Sequence, residues 1–138
     1  MVSMRYGSKG GTTGGGTSEG GGGSTVTITE LWTNPSPTAS FSSQTVAVSL
    51  AGYDYIGIIA KFSTGNASVT SMQVYPLSLL LNDSMAGRIH AAGGTGQSGV
   101  RTFTVSSDLS GVAFAAGTMG SGTANGYILP YKIYGIKL

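Results

Sequence analysis

From Thr25 onward, apolar and polar residues alternate with a period of two. Thr25-Val26-Thr27-Ile28-Thr29 is the first such run, and in residues 44–50 Val46, Val48 and Leu50 share one face while Thr45, Ala47 and Ser49 share the other. Residues 101–106 and 112–114 repeat the pattern. Successive side chains of a strand point to opposite faces, so this period predicts half-buried β-strands. Four less regular apolar runs, at 53–62, 69–81, 85–92 and 127–136, bring the expectation to roughly eight strands separated by Gly, Asn, Asp, Ser and Pro. No window shows helical spacing with a cap before it and Gly after it; residues 78–86 come nearest and stop at Gly87. The expected fold is all-β, an antiparallel β-sandwich or jelly roll with a glycine-rich N-terminal arm.

The arm obeys a different rule. Ten of the seventeen residues from Gly7 to Gly23 are glycine, and nearly all the others are Ser or Thr. Glycine loses the most backbone entropy on ordering and has no side chain to bury, so such a stretch cannot hold a fold alone. Its partial threefold glycine frame is not collagen-like, because Pro is absent and other glycines fall outside the frame. Residues 1–24 are therefore expected to be an arm or anchor and residues 25–138 one β-domain. Without Cβ atoms, the arm suits threading through a crevice of a neighbouring subunit.

The closing run, residues 127–136, is apolar on both faces. Strict alternation sends Tyr127, Leu129, Tyr131 and Ile133 one way and Ile128, Tyr134 and Ile136 the other. One face of a sandwich strand normally meets water. The run is thus either a central strand overlaid by a loop or part of a subunit interface, where Tyr is enriched. Tyr127, Tyr131 and Tyr134 are the candidate assembly residues.

Composition narrows the chemistry. Of the 138 residues, 9% are charged, against about 25% in an ordinary globular chain. A net charge of +2 is too weak to point to nucleic acid, and 40% apolar content excludes a disordered chain. The absence of Cys excludes disulfides, thiolate zinc sites and Cys nucleophiles. Residues 74–81 are far short of the ~20 apolar residues that span a bilayer, and residues 1–9 are not followed by the apolar run of a secretory signal, so a soluble protein is expected.

Gly94-Thr95-Gly96-Gln97-Ser98-Gly99 fits G-x-G-x-x-G, but a strand pattern rather than a helix follows, so it reads as a hairpin loop. The single His, His90, cannot assemble a His-rich zinc site, and no nucleophile elbow accompanies it. It reads as a half-buried strand residue beside Arg88. Glu30, Asp54, Asp83 and Asp108 are scattered, with the three Asp beside turn residues; neither a glycosidase pair nor a calcium loop is favoured. No metal, cofactor or catalytic residue is expected. Trp32 either packs at a core edge or stacks on a sugar, and Arg88 and Arg101 are the candidate polar contacts on an exposed face.

Two segments carry a resemblance. The first opens with Leu31-Trp32-Thr33-Asn34-Pro35-Ser36-Pro37-Thr38-Ala39-Ser40-Phe41 and continues through Thr45-Val46-Ala47-Val48-Ser49-Leu50 and Gly52-Tyr53-Asp54-Tyr55. The second is Pro130-Tyr131-Lys132-Ile133-Tyr134-Gly135-Ile136-Lys137. Together they resemble small C-terminal β-domains of tail-fibre and minor structural proteins of phages and prophages infecting Gram-positive or gut bacteria. The resemblance implies a non-enzymatic virion protein made in the host cytoplasm: a short fibre or tail-tip adhesin that attaches to the host surface. It would form a homotrimer, meet other virion proteins through the glycine arm and touch a host cell-surface glycan. A head-fibre or capsid decoration protein is the alternative, and a polysaccharide-degrading enzyme a more distant one.

Overall fold

The computed structural model describes residues 3–7, 25–65, 69–82, 85–93 and 96–138. Within them the chain forms β1 (Ser3–Gly7), β2 (Thr25–Thr33), β3 (Gln44–Ala47), β4 (Tyr55–Ser63), β5 (Val69–Pro76), a short helix α1 (Leu77–Asn82), β6 (Gly87–Ala92), β7 (Ser98–Val105), β8 (Gly111–Phe114), β9 (Thr118–Met119), β10 (Gly122–Thr123) and β11 (Tyr127–Lys137). All pairings are antiparallel. The first sheet has the order β1-β2-β11-β4-β5; in the second, β10-β9-β7-β8-β3 form the path and β6 pairs with β7. The protein is an all-β sandwich.

Its core lies where the alternating faces of the two sheets meet. Ile56, Ile58, Ala60 and Phe62 of β4 face Ile89 and Ala91 of β6, Phe103 of β7, and Val112 and Phe114 of β8 in one buried cluster, joined by Leu129 and Ile133 of β11. Burial of this kind contributes about 25 cal/mol per Å² of apolar surface. Helix α1 adds Leu77 and Leu80 from one end. It stands where residues 78–86 came nearest to helical spacing.

The β5–β6 flank is joined in an unusual way. In β6, Gly87, Ile89 and Ala91 are buried while Arg88, His90 and Ala92 are exposed. The backbone groups of Arg88 and His90 find partners on β5 side chains. The Tyr75 hydroxyl donates to the Arg88 carbonyl (2.9 Å) and accepts from its N–H (3.1 Å), Gln73 Oε1 accepts from the His90 N–H (3.3 Å), and the Ser71 hydroxyl donates to the His90 carbonyl. Residues 71, 73 and 75 point the same way, so a period of two on β5 matches a period of two on the β6 edge.

One boundary differs from expectation. Ser3–Gly7, expected within the arm, forms an edge strand of the first sheet, and Gly7 is the cross-strand partner of Thr25. The glycine-rich stretch, residues 8–24, lies outside the described residues. The residues that flank it, Gly7 and Thr25, are neighbours in the sheet, so the polypeptide enters the fold before the glycine run.

Candidate functional site

A cleft of about 390 Å³ opens on the flank opposite the β5–β6 joint, where the end of β2 faces β3, the outer strand of the second sheet. Trp32, Pro35, Phe41, Val46 and Ala47 give it apolar surface, and Asn34, Ser36, Ser40, Gln44 and Thr45 give it polar surface; none of the lining residues is charged. Trp32 pairs with Ile133 of β11, which is fully buried, so the indole leans over the core edge and remains only half-buried.

The local sequence explains the shape. Asn34 is buried at 5% exposure, and its amide Nδ2 donates to the Pro130 carbonyl (2.9 Å) while its backbone N–H donates to the Tyr131 carbonyl (2.8 Å). Its Oδ1 accepts the Ser36 N–H (2.8 Å), an Asx turn that aims Pro35 outward. Phe41 is held by its N–H donating to the Asn125 carbonyl (2.9 Å). Its ring meets Trp32 edge-on at 6.3 Å and Phe114 edge-on at 5.6 Å.

Behind Phe41 stands Arg101, its guanidinium 5.2 Å from the ring centroid and 0% exposed. The expectation that Arg101 is a polar contact on an exposed face is therefore corrected. Among the described residues no carboxylate pairs with it. Instead Nε donates to the Ile128 carbonyl (2.7 Å), Nη1 to that of Ala115 (2.6 Å) and Nη2 to that of Tyr127 (3.1 Å). Burial pushes its pKa down to about 10, so it is still charged at neutral pH. The signal was present in the sequence: Arg101 shares its strand face with Phe103 and Val105.

Arg101 also braces a strained backbone. Ile128 has φ +52°, which crowds a β-branched side chain against its own carbonyl. That conformation turns both Ile128 and Leu129 into the core. Gly117 fits against the same knot, for a Cβ there would lie 2.6 Å from the Ala124 carbonyl oxygen and 2.8 Å from that of Tyr127. Only glycine allows so close an approach.

The left-handed residue, with register shifts between Pro130 and Lys132 and between Ile133 and Tyr134, breaks the strict alternation expected of the closing strand. The three candidate tyrosines do not form one patch, and Tyr134 lies opposite Tyr127, as the alternation expected. Tyr127 packs edge-on against Phe62 at 5.3 Å, Tyr131 lies half-buried with the Lys132 ammonium 5.7 Å from its ring, and Tyr134 pairs with Gly57 on the outer side of the first sheet. Arg88 is exposed on the β5–β6 flank, away from Trp32. His90 is exposed rather than half-buried, because the even positions of β6 face outward.

The described carboxylates are each committed to a local partner. Glu30 is held below the usual range by the Lys132 ammonium (2.8 Å) and then by the Thr33 hydroxyl (2.6 Å). The Leu138 N–H (2.8 Å), followed by Lys137, lowers Asp54. The Ser110 hydroxyl (2.6 Å), then that of Ser106, lowers Asp108 in a turn. A catalytic general acid needs a pKa moved upward, and these three move the other way. Asp83 lies outside the described residues. Among the described residues no three His, Asp or Glu side chains converge as metal ligands. The G-x-G-x-x-G stretch joins β6 to β7, with Ala92 paired to Ser98 and the Gly93 N–H donating to the Gln97 carbonyl (2.7 Å); it is a hairpin connection.

A scan against protein-family models and searches of curated proteins and of solved structures return no match for this chain.

Proposed function

We propose that the chain is a non-enzymatic attachment module of a phage particle, a short fibre or tail-tip adhesin whose Trp32 cleft takes a neutral saccharide of the host surface. The observation that carries the saccharide is the cleft lining: an indole among the apolar side chains of Pro35, Phe41, Val46 and Ala47, with hydroxyls and the Asn34 and Gln44 amides beside it and no charge. The C–H face of a sugar stacks on an indole, while its hydroxyls need partners that donate and accept, as Ser, Thr and Gln do. A charged ligand would find no counter-charge there. The phage assignment rests on the resemblance of residues 31–55 and 130–137. Many copies on one particle turn a weak single-site affinity into firm attachment. The commitment of Glu30, Asp54 and Asp108 to structural partners weighs against a polysaccharide-cleaving role.

Trp32 is the only tryptophan, so its fluorescence reports the cleft directly. Titrating the full chain with host surface polysaccharide is expected to shift the emission saturably, and Trp32→Ala is expected to abolish labelling of host cells while the circular dichroism spectrum shows the fold retained at the assay temperature. Unmoved emission and unlabelled cells, together with particles that lose shell stability when the protein is removed, would replace attachment by capsid decoration.

A further inference from the structure

The outer face of the first sheet is apolar where a sandwich strand usually meets water. Cross-strand pairs place Ile28 beside Ile136 and Tyr55, Tyr134 beside Gly57 and Val74, and Ile59 beside Met72. Met72 and Val74 are 46% and 48% exposed, large values for neighbouring apolar side chains. At the centre Gly57 leaves a dimple, over which the Met72 methyl reaches to within 2.8 Å of where a Cβ would be. From these positions we infer that this face binds the same face of a second copy of the chain, in an isologous two-fold contact.

Charge and area both select a copy of this chain as the occupant. Glu30 and Lys132, the acidic and basic groups beside Tyr134, satisfy one another at 2.8 Å. Lys61, buried on the same strand as Gly57, spends its ammonium on the Pro37 carbonyl at 3.0 Å. A strongly charged partner would find no free counter-charge, whereas a second copy brings matching apolar rows and an equally neutralised ion pair, with no like charges opposed. Four strands spaced ~4.8 Å apart and about eight residues long at ~3.4 Å each present roughly 500 Å² per copy. Two copies then cover about 1,000 Å², the lower bound of a specific interface. An apolar sheet face also meets its like most simply face to face, as the sheets of a sandwich do.

The inference is independent of the saccharide proposal, because the cleft opens on the β2–β3 flank. Sedimentation equilibrium of the full chain from roughly 1 μM to 1 mM, the span of weak specific contacts, reads it directly. The wild type is expected to move from monomer to dimer, and Val74→Asp to weaken that step at least tenfold with an unchanged circular dichroism spectrum. Met72→Glu supplies the same test should Val74→Asp fail to fold. A wild type that stays monomeric throughout, a purely trimeric species, or a dimer indifferent to both substitutions would overturn the inference.

Discussion

Arg101→Met replaces a buried guanidinium by an apolar side chain of similar length, and the structure sets the scale of the loss. Three carbonyls lose their donor. That of Ile128 is in a fully buried bond, and those of Ala115 and Tyr127 are in partly buried ones. An orphaned buried acceptor costs about 1–3 kcal/mol, with the lower figure fitting the two that water can reach. The sum is about 3–5 kcal/mol. Methionine gives some of this back, because the charge need no longer be desolvated, and about 2–4 kcal/mol remains. For a chain whose total stability is about 7–20 kcal/mol at 0.05–0.15 kcal/mol per residue, that is a large share. Urea unfolding followed by Trp32 fluorescence is expected to show a lower midpoint at an unchanged slope, with a melting temperature lower by roughly 10 °C. Arg101→Lys separates charge from geometry, since one ammonium cannot span three carbonyls; it is expected to lose nearly as much. An Arg101→Met protein within about 0.5 kcal/mol of wild type, the range of an ordinary surface change, would refute the bracing role.

At the β5–β6 joint, Tyr75→Phe is expected to cost about 1 kcal/mol, the value of an ordinary hydrogen bond, and to speed hydrogen exchange at the Arg88 amide specifically. Gly117→Ala forces a methyl against two backbone oxygens that cannot step aside, so a loss of more than about 2 kcal/mol is expected in a melting experiment. Acid should unfold the protein through Glu30, Asp54 and Asp108, which all titrate lower in the folded chain than their ordinary values of 4.5, 3.8 and 3.8. The unfolded chain therefore takes up protons first as pH falls. Their contribution is fully present above those ordinary values and fades below them, and a pH series of urea midpoints should flatten in Glu30→Gln.

The strands that alternate strictly were legible from side-chain period alone: residues 25–29, 44–50, 101–106 and 112–114 each seed one of β2, β3, β7 and β8. The period cannot report what a backbone does between partners. Two-residue strands such as β9 and β10 carry too few positions to show a period, and β1 stands before a glycine run that hides its continuity with the domain. In the closing strand counting keeps Leu129 with Ile133 and Tyr134 with Ile136, and the left-handed Ile128 is the residue that leaves its assigned face, turning into the core beside Leu129. Arg101 shows the opposite failure. The period placed it with Phe103 on the inner face, but charge argued for water, and three carbonyls outweighed that argument. Trp32 sits at the core edge, one of the two places read for it, and the neutral polar lining beside it comes from Ser36 and Ser40 of the following loop and from Gln44 and Thr45 of β3, which only the fold brings to one cleft.

The joint between β5 and β6 has an evolutionary side. A backbone ladder is nearly indifferent to which side chains it carries, so drift rarely dissolves it. Here the two sheets are fastened by the tips of Ser71, Gln73 and Tyr75, three codons that can be rewritten one at a time. Loss of those tips would unlatch one margin of the body and leave the hydrophobic interior in place, so descendants of this chain have an inexpensive route to a sandwich that gapes.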